Sequence, residues 1–378
     1  MEKEKILKFG KWSNFNFKKL KKSILLITAV FLTIIASAQG EQKPSPLTVS
    51  GYVETYYVFD FNMPESNTRP GFIYSYNRHN EVNLNLGFIK AAYNTNNVRA
   101  NLAMMAGTYA NANLTSEPGV LKNIFEANVG IKLLSSKSLW VDAGIFASHI
   151  GFESAIGKDS WNLTRSILAD NTPYYEAGAK ISYTTDNEKW FLSALLLNGW
   201  QKIQRIDGNS LPSFGTQITY KPTSSVTLNS SSFIGTNKPD SARQMRYLHN
   251  FYGIFQVTKN FGLTVGFDYG VEEESAESNS TNSWLSPVVI ARFTFNDKLS
   301  MDVRGEYYQD ETGIIIATGT PNGFKTTGFS TNLDYQIYDN VLWRVEVRNF
   351  SSKDKVFIRD NQPTRTNTFI TTLLAISF

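Results

Sequence analysis

The fold class predicted is all-β: a transmembrane antiparallel β-barrel of about sixteen strands, and three observations predict it. Apolar and polar residues alternate with a period of two over long runs, the connections between those runs alternate short and long, and the sequence ends on an apolar run whose last residue is Phe378. A period of two gives a strand two unlike faces. Runs of roughly ten to fourteen residues exceed the five or six usual in soluble sheets, but they suit a tilted strand, which needs about nine to eleven to cross a bilayer.

The amino end comes first. Lys18, Lys19, Lys21 and Lys22 precede the apolar run Ile24–Ile35, which ends at Ala36-Ser37-Ala38. A basic stretch, a short apolar stretch and a small-x-small site make a secretory signal, expected to be cleaved after Ala38. The run falls short of the roughly twenty residues of a membrane-spanning helix. Residues 1–38 are therefore read as signal peptide, 39–46 as a polar periplasmic leader, and 47–378 as the barrel. The sequence holds 37 Lys and Arg against 33 Asp and Glu, but 8 Lys and 2 Glu lie before Gln39. The remainder is slightly acidic, so the basic balance belongs to the signal and no nucleic-acid footprint is left. With no Cys in the sequence, an exported chain must rely on sheet and packing rather than disulfides.

The strands follow in order, with cores at 47–60, 80–93, 98–109, 122–134, 139–149, 173–185, 190–200, 212–221, 226–236, 244–257, 261–273, 283–295, 299–311, 323–338, 341–352 and 367–378. In the second, Val82, Leu84, Leu86 and Phe88 alternate with Glu81, Asn83, Asn85 and Gly87. In the thirteenth, Leu299, Met301, Val303 and Tyr307 alternate with Ser300, Asp302, Arg304 and Glu306. In the fifteenth, Trp343, Val345 and Val347 alternate with Arg344, Glu346 and Arg348. In the last, Ile370, Thr372, Leu374, Ile376 and Phe378 share one face.

Every backbone polar group in lipid needs a partner, so such a sheet can span only if it closes, the first strand pairing with the last. Apolar faces then meet lipid and polar faces line the interior. Short turns with both ends of the barrel on their side, and long loops opposite, give the asymmetry of outer-membrane barrels: periplasmic termini and external loops. Phe378, Phe261, Trp343 and Phe295 below, with Tyr57, Phe59 and Tyr307 above, supply the aromatic girdles. Phe378 is also the expected assembly signal for barrel-assembly machinery.

A barrel this wide leaves an aqueous channel unless something fills it. The longest connection, about 150–172, is the third external loop and carries Phe152, Ile156, Trp161, Leu163, Ile167 and Leu168. A long loop in a compact protein is commonly functional, and this one is expected to fold inward as a constriction. Glu153, Lys158, Asp159, Arg165 and Asp170 are its candidate charges. The candidate pore wall facing it is Arg304, Glu306, Arg344, Glu346 and Arg348, with the loop carboxylates across from the arginines setting up a transverse field.

The quartet Gly151-Phe152-Glu153-Ser154, the run Asn162-Leu163-Thr164-Arg165-Ser166 and the run Pro173-Tyr174-Tyr175-Glu176-Ala177-Gly178-Ala179-Lys180, on a barrel pattern covering residues 47–378, resemble the OmpL-like family of outer-membrane β-barrel porins. The resemblance implies an outer-membrane channel.

Catalytic chemistry is not indicated. His79, His149 and His249 have no His or Cys neighbour at metal-ligand spacing, and no Gly-x-Ser-x-Gly or phosphate loop occurs. The expectation is a porin for passive diffusion of small hydrophilic solutes and ions in the outer membrane of a Gram-negative bacterium, with no cofactor or metal. Outer-membrane lipid is its surroundings, and monomer and homo-oligomer both stay open. The alternatives are a non-conducting surface barrel acting as an adhesin or interaction protein and, behind it, a barrel enzyme.

Overall fold

A computed structural model describes residues 45–278 and 280–378. The predicted signal, and the leader as far as Pro44, lie outside them. In chain order the strands are β1 (Leu47–Asp60), β2 (Val82–Asn94), β3 (Val98–Ala106), β4 (Ile124–Lys132), β5 (Ser138–Ala147), β6 (Tyr175–Thr184), β7 (Trp190–Leu197), β8 (Ser213–Thr223), β9 (Val226–Gly235), β10 (Arg246–Gln256), β11 (Phe261–Glu273), β12 (Thr281–Thr294), β13 (Leu299–Asp310), β14 (Phe324–Tyr338), β15 (Val341–Ser352), the hairpin β16 (Phe357–Arg359) and β17 (Gln362–Thr364), and β18 (Thr366–Ser377). All but the hairpin form one closed antiparallel barrel in which each strand pairs with its neighbours in sequence and β18 pairs with β1. At that seam Val53 faces Ile376 and Tyr57 faces Thr372. The expected sixteen-strand closure is what forms.

The barrel is apolar outside and charged inside. Leu102, Val129, Leu196, Phe251, Val289, Phe329, Val347 and Leu374, spread around the circumference, are exposed, while Glu54, Asp268, Asp302, Arg304, Arg344 and Glu346 are buried. An exposed apolar belt of this extent needs lipid against it, which makes the barrel the inverse of a soluble one.

Periodicity misplaces one set of residues. Val82, Leu84, Leu86 and Phe88 were expected on a single outward face, but the register between β1 and β2 shifts at Glu54/Thr55, leaving Asn85 as an extra residue. A bulge turns the following residues to the opposite face. Val82 stays exposed, whereas Leu86 is fully buried and Phe88 lines the lumen. A second bulge, at Ala103/Met104 between β3 and β4, leaves Phe125 as the extra residue. The two other shifts among the described residues lie beside short turns, at Tyr220/Thr223 and Gln336/Tyr338.

The seam ends on Phe378. Its N–H donates to the Gly51 carbonyl at 3.0 Å, its carbonyl accepts the Gly51 N–H at 2.7 Å, and its ring lies over Gly51, where a Cβ would come within 2.3 Å of it. Deleting Phe378 removes both bonds and the ring at the point of closure. Refolding into lipid vesicles, followed by the gel mobility of unboiled samples, should show a folded fraction several-fold lower than the full chain's; an equal fraction would refute a role for this residue in closure.

Candidate functional site

The connection 148–174, between β5 and β6, crosses the inside of the barrel. Near its start the Ser231 hydroxyl donates to the His149 carbonyl at 2.8 Å, and Asn250 accepts the Gly151 N–H at 3.2 Å. Leu163, Ile167 and Leu168 are buried in the middle of the segment. A short helix, Ile167–Asp170, is capped by the Ser166 hydroxyl, which accepts the Ala169 N–H at 3.1 Å. On the return, Thr172 donates to Asp268 at 2.9 Å.

Between those points the loop lies on the wall of β13, β14 and β15. Arg344 donates to the carbonyl of Gly157 at 2.8 Å and pairs with Asp334 at 2.6 Å. Arg304 donates to the carbonyl of Thr164 at 2.6 Å and to Glu346 at 2.8 Å. Arg348 donates to the carbonyl of Arg165 at 2.7 Å and pairs with Glu306 at 2.5 Å. The carboxylates answer in kind: Glu346 accepts the Thr164 N–H at 2.5 Å and Glu306 the Ile167 N–H at 2.6 Å. Each arginine therefore reaches both a wall carboxylate and a loop carbonyl, and the loop backbone replaces the water that burial removed.

Arg304, Glu306, Arg344, Glu346 and Arg348 were expected to face open water across from the loop. They are buried beneath it instead, and the transverse field expected there is replaced by contact pairs. The physical reason is desolvation. Charges this close to a long apolar loop cost less when its backbone hydrogen-bonds them than when they stand alone in a narrow gap.

The loop charges divide into two groups. The Glu153 side chain is buried, accepts from Ser166 N at 3.1 Å and lies 3.8 Å from Arg304. Arg165 is buried within the loop, donating to the carbonyls of Ala155 at 2.8 Å and Leu163 at 3.0 Å and to the Tyr76 hydroxyl at 3.3 Å. Asp170 is buried too. Lys158 and Asp159 sit 3.8 Å apart with exposed side chains. Burial raises the Glu153 carboxyl despite the Arg304 guanidinium, and raises that of Asp170 to about 7 against the pull of Arg348 and Arg165.

Two chambers lie along the side of β2 to β6. An upper chamber of about 500 Å³ is bounded by Phe88, Lys90, Phe125, Glu126, Tyr252 and the loop residues Phe152 and Tyr174. A lower chamber of about 380 Å³ is bounded by Arg99, Glu126, Trp140, Asp142 and Lys180. Glu126 belongs to both. Two ion pairs stand along this side, Lys90 with Glu126 at 2.5 Å and Arg99 with Asp142 at 2.5 Å. Strand parity places Arg99, Glu126, Asp142 and Lys180 on the interior face. It misses Lys90 and Phe125, because both depend on the bulges described above.

The histidines do not converge. His79 accepts the Asp60 N–H at 2.9 Å, His149 contacts the Ser232 carbonyl at 2.8 Å, and His249 contacts Ser230 at 3.0 Å on the outer face. Among the described residues no group of three or more His, Cys, Asp or Glu could hold a metal.

Residues 46–378 match the family described as "Putative beta-barrel porin-2, OmpL-like". The chain belongs to this porin family. No curated protein matches it by sequence. Among solved structures the OmpL-like barrel is similar to the anion-selective porin from Comamonas acidovorans, at 8% identity over 88% of this chain and 99% of that one, with a TM-score of 0.57. It is also similar to the trimer form of OmpT, an outer membrane protein of Vibrio cholerae, at 7% identity over 88% and 99% of the two chains, with a TM-score of 0.54. At such identities the likeness is one of fold. Membership places the barrel among the porins, in an outer membrane.

Two outcomes are expected for the loop of this OmpL-like barrel. Arg348→Ala removes the nearer of the two arginines beside Glu306, leaving Arg304 at 3.5 Å, and unties the Arg165 carbonyl, costing about 3 kcal/mol. Added to Arg304→Ala it should cost less than the two separately, by about 0.5–3 kcal/mol, because they share Thr164 and the neighbouring carboxylates; strict additivity in thermal unfolding of the detergent-solubilised barrel would refute the shared network. Asp170, raised from 3.8 to about 7, stabilises the docked loop fully below the lower value and loses that contribution as pH rises through the upper one. Proteolytic cutting of the loop should therefore increase from about pH 4 to about pH 8, and Asp170→Asn should blunt the increase.

Proposed function

We propose that the protein is a diffusion porin of the outer membrane of a Gram-negative bacterium. Small hydrophilic solutes and ions pass between the inward-folded loop and the wall of β2 to β6. The observation that carries this reading is that two chambers lie along this side of the barrel with Glu126 on the wall of both. Buried Glu153, Arg165 and Asp170 hold the loop's shape as a constriction, while Lys158 and Asp159 face the water that remains. Selectivity then lies with Lys90, Glu126, Arg99, Asp142 and Lys180 rather than with the sealed arginines. Charges in a narrow, poorly screened passage act strongly on the ions beside them.

The rest of the reading is consistent with this role. Export uses the cleaved signal 1–38, and barrel-assembly machinery recognises Phe378. The short turns lie toward the periplasm and the long loops outside. No enzymatic step is assigned. The trimer form of the Vibrio cholerae protein gives a precedent for a homo-oligomer.

One observation favours a second reading, a non-conducting surface barrel. Phe72 in the connection 61–81 packs against Phe324, Phe350 and Phe357 at ring distances of 4.7 to 6.1 Å, so loops cover part of the long-loop end. Planar-bilayer recording decides between the two. The porin reading expects discrete conductance steps, and Glu126→Gln should shift the reversal potential in a salt gradient toward anion preference. Silence from a barrel whose folding is confirmed by gel mobility would leave the surface role.

A further inference from the structure

We infer that the upper chamber is a binding site for amphipathic solutes that carry one flat apolar ring and a dipolar head, an ammonium together with a carboxylate. The inference rests on the diffusion reading and names the solute class that its route retains.

The chamber's volume, about 500 Å³, is in the range of small-molecule sites. Its walls are unusually aromatic for a passage carrying water: Phe88, Tyr109, Phe125, Phe152, Tyr174 and Tyr252 border it. Phe88 and Phe125 stack nearly parallel, their centroids 4.9 Å apart and their planes 8° apart. Phe152 and Tyr252 form a second pair, with centroids 5.6 Å apart. The first of these pairs exists because of two bulges. The extra residue Asn85 turns Phe88 and Lys90 inward, and the extra residue in β4 is Phe125 itself. Among the described residues these are the two register shifts in the barrel that do not lie beside a short turn, and bulges away from turns commonly re-aim side chains at functional sites. Aromatic surface facing lumen water is unfavourable, and a flat apolar ring would cover it.

The chamber is polar at one end. Lys90 and Glu126 pair at 2.5 Å with side chains 29% and 19% exposed, so both remain within reach of a solute. An ammonium can exchange onto Glu126 and a carboxylate onto Lys90 with no change in net charge and no buried ion left alone. A solute with a single charge would satisfy one partner and strand the other. A sugar carries hydroxyls all round its ring, and the aromatic walls leave most of them without partners. Below the first pair, Arg99 holds Asp142 through two contacts of 2.5 and 2.6 Å, a second place for the same head on the way through.

The test uses the full-length mature barrel and three probes that separate ring from head: L-phenylalanine, glycine and benzyl alcohol. In bilayer recording, L-phenylalanine should reduce the current saturably at a concentration about tenfold below that needed for either of the others. Phe125→Ala and Lys90→Gln should each weaken this block about three- to tenfold, the worth of one aromatic contact or one charge-assisted bond. Equal potency of the three probes, unchanged block in both folded variants, or tighter block by a disaccharide would overturn the assignment. Calorimetric titration of the detergent-solubilised barrel keeps the two readings apart. Binding of L-phenylalanine with the same variant pattern in a barrel that passes no current upholds the site and removes the porin role. Current without discrimination among the probes does the reverse.

Discussion

Closure of the sheet is the constraint from which the rest of the molecule follows. A strand in lipid has no water to satisfy its N–H and C=O groups, so β1 must find β18 across the whole length of the barrel sequence. Once the ring closes, outward residues are free to be apolar and inward residues must be compatible with water or with each other. That single requirement explains why Arg304 and Arg344 can be buried in a chain whose Val129 and Leu374 are exposed. It also explains the tolerance of very low identity to other barrels, since closure fixes the backbone while asking of each side chain only that it face the correct side.

The interior then has its own desolvation problem, and the loop 148–174 resolves it. Three arginines and their carboxylates crowd the wall of β13 to β15, where an unassisted cluster would compete poorly with its own hydration. The loop brings backbone donors and acceptors to them in alternation: the Gly157, Thr164 and Arg165 carbonyls to the arginines, the Thr164 and Ile167 N–H groups to the carboxylates. The loop in turn gains partners for backbone groups that would otherwise be buried unpaired. Arg165 performs the same service within the loop and ties it to Tyr76, which also donates to Glu54 at 3.3 Å. Wall, loop and the connection 61–81 are thus one hydrogen-bonded body.

Most of the fold was legible because the barrel is the rare architecture in which one periodicity governs every element. Strand order, strand number and the identity of the interior charges other than Lys90 follow from a period of two and from alternating connection lengths. The site was legible in part. Apolar content and length marked the loop, yet nothing in spacing alone distinguishes Arg344 facing water from Arg344 sealed beneath Gly157 and Trp161, because that depends on where a loop from the far side comes to rest. Lys90, Phe88 and Phe125 escaped for a different reason. A bulge adds one residue and reverses parity, and Asn85 and Phe125 carry no sequence mark that distinguishes them from ordinary members of their strands.

The two halves of the barrel therefore do different work. On the side of β13 to β15 the loop is locked to the wall by arginines and carboxylates. A loop that only narrowed the lumen would need no such lock. On the diffusion reading proposed above, the docked loop moves the passage off-centre, against the two bulges, and a solute that crosses touches Phe88, Phe125 and the Lys90–Glu126 pair rather than a central water column. On the same reading the buried arginines act on selectivity through this displacement, without facing the solute at all.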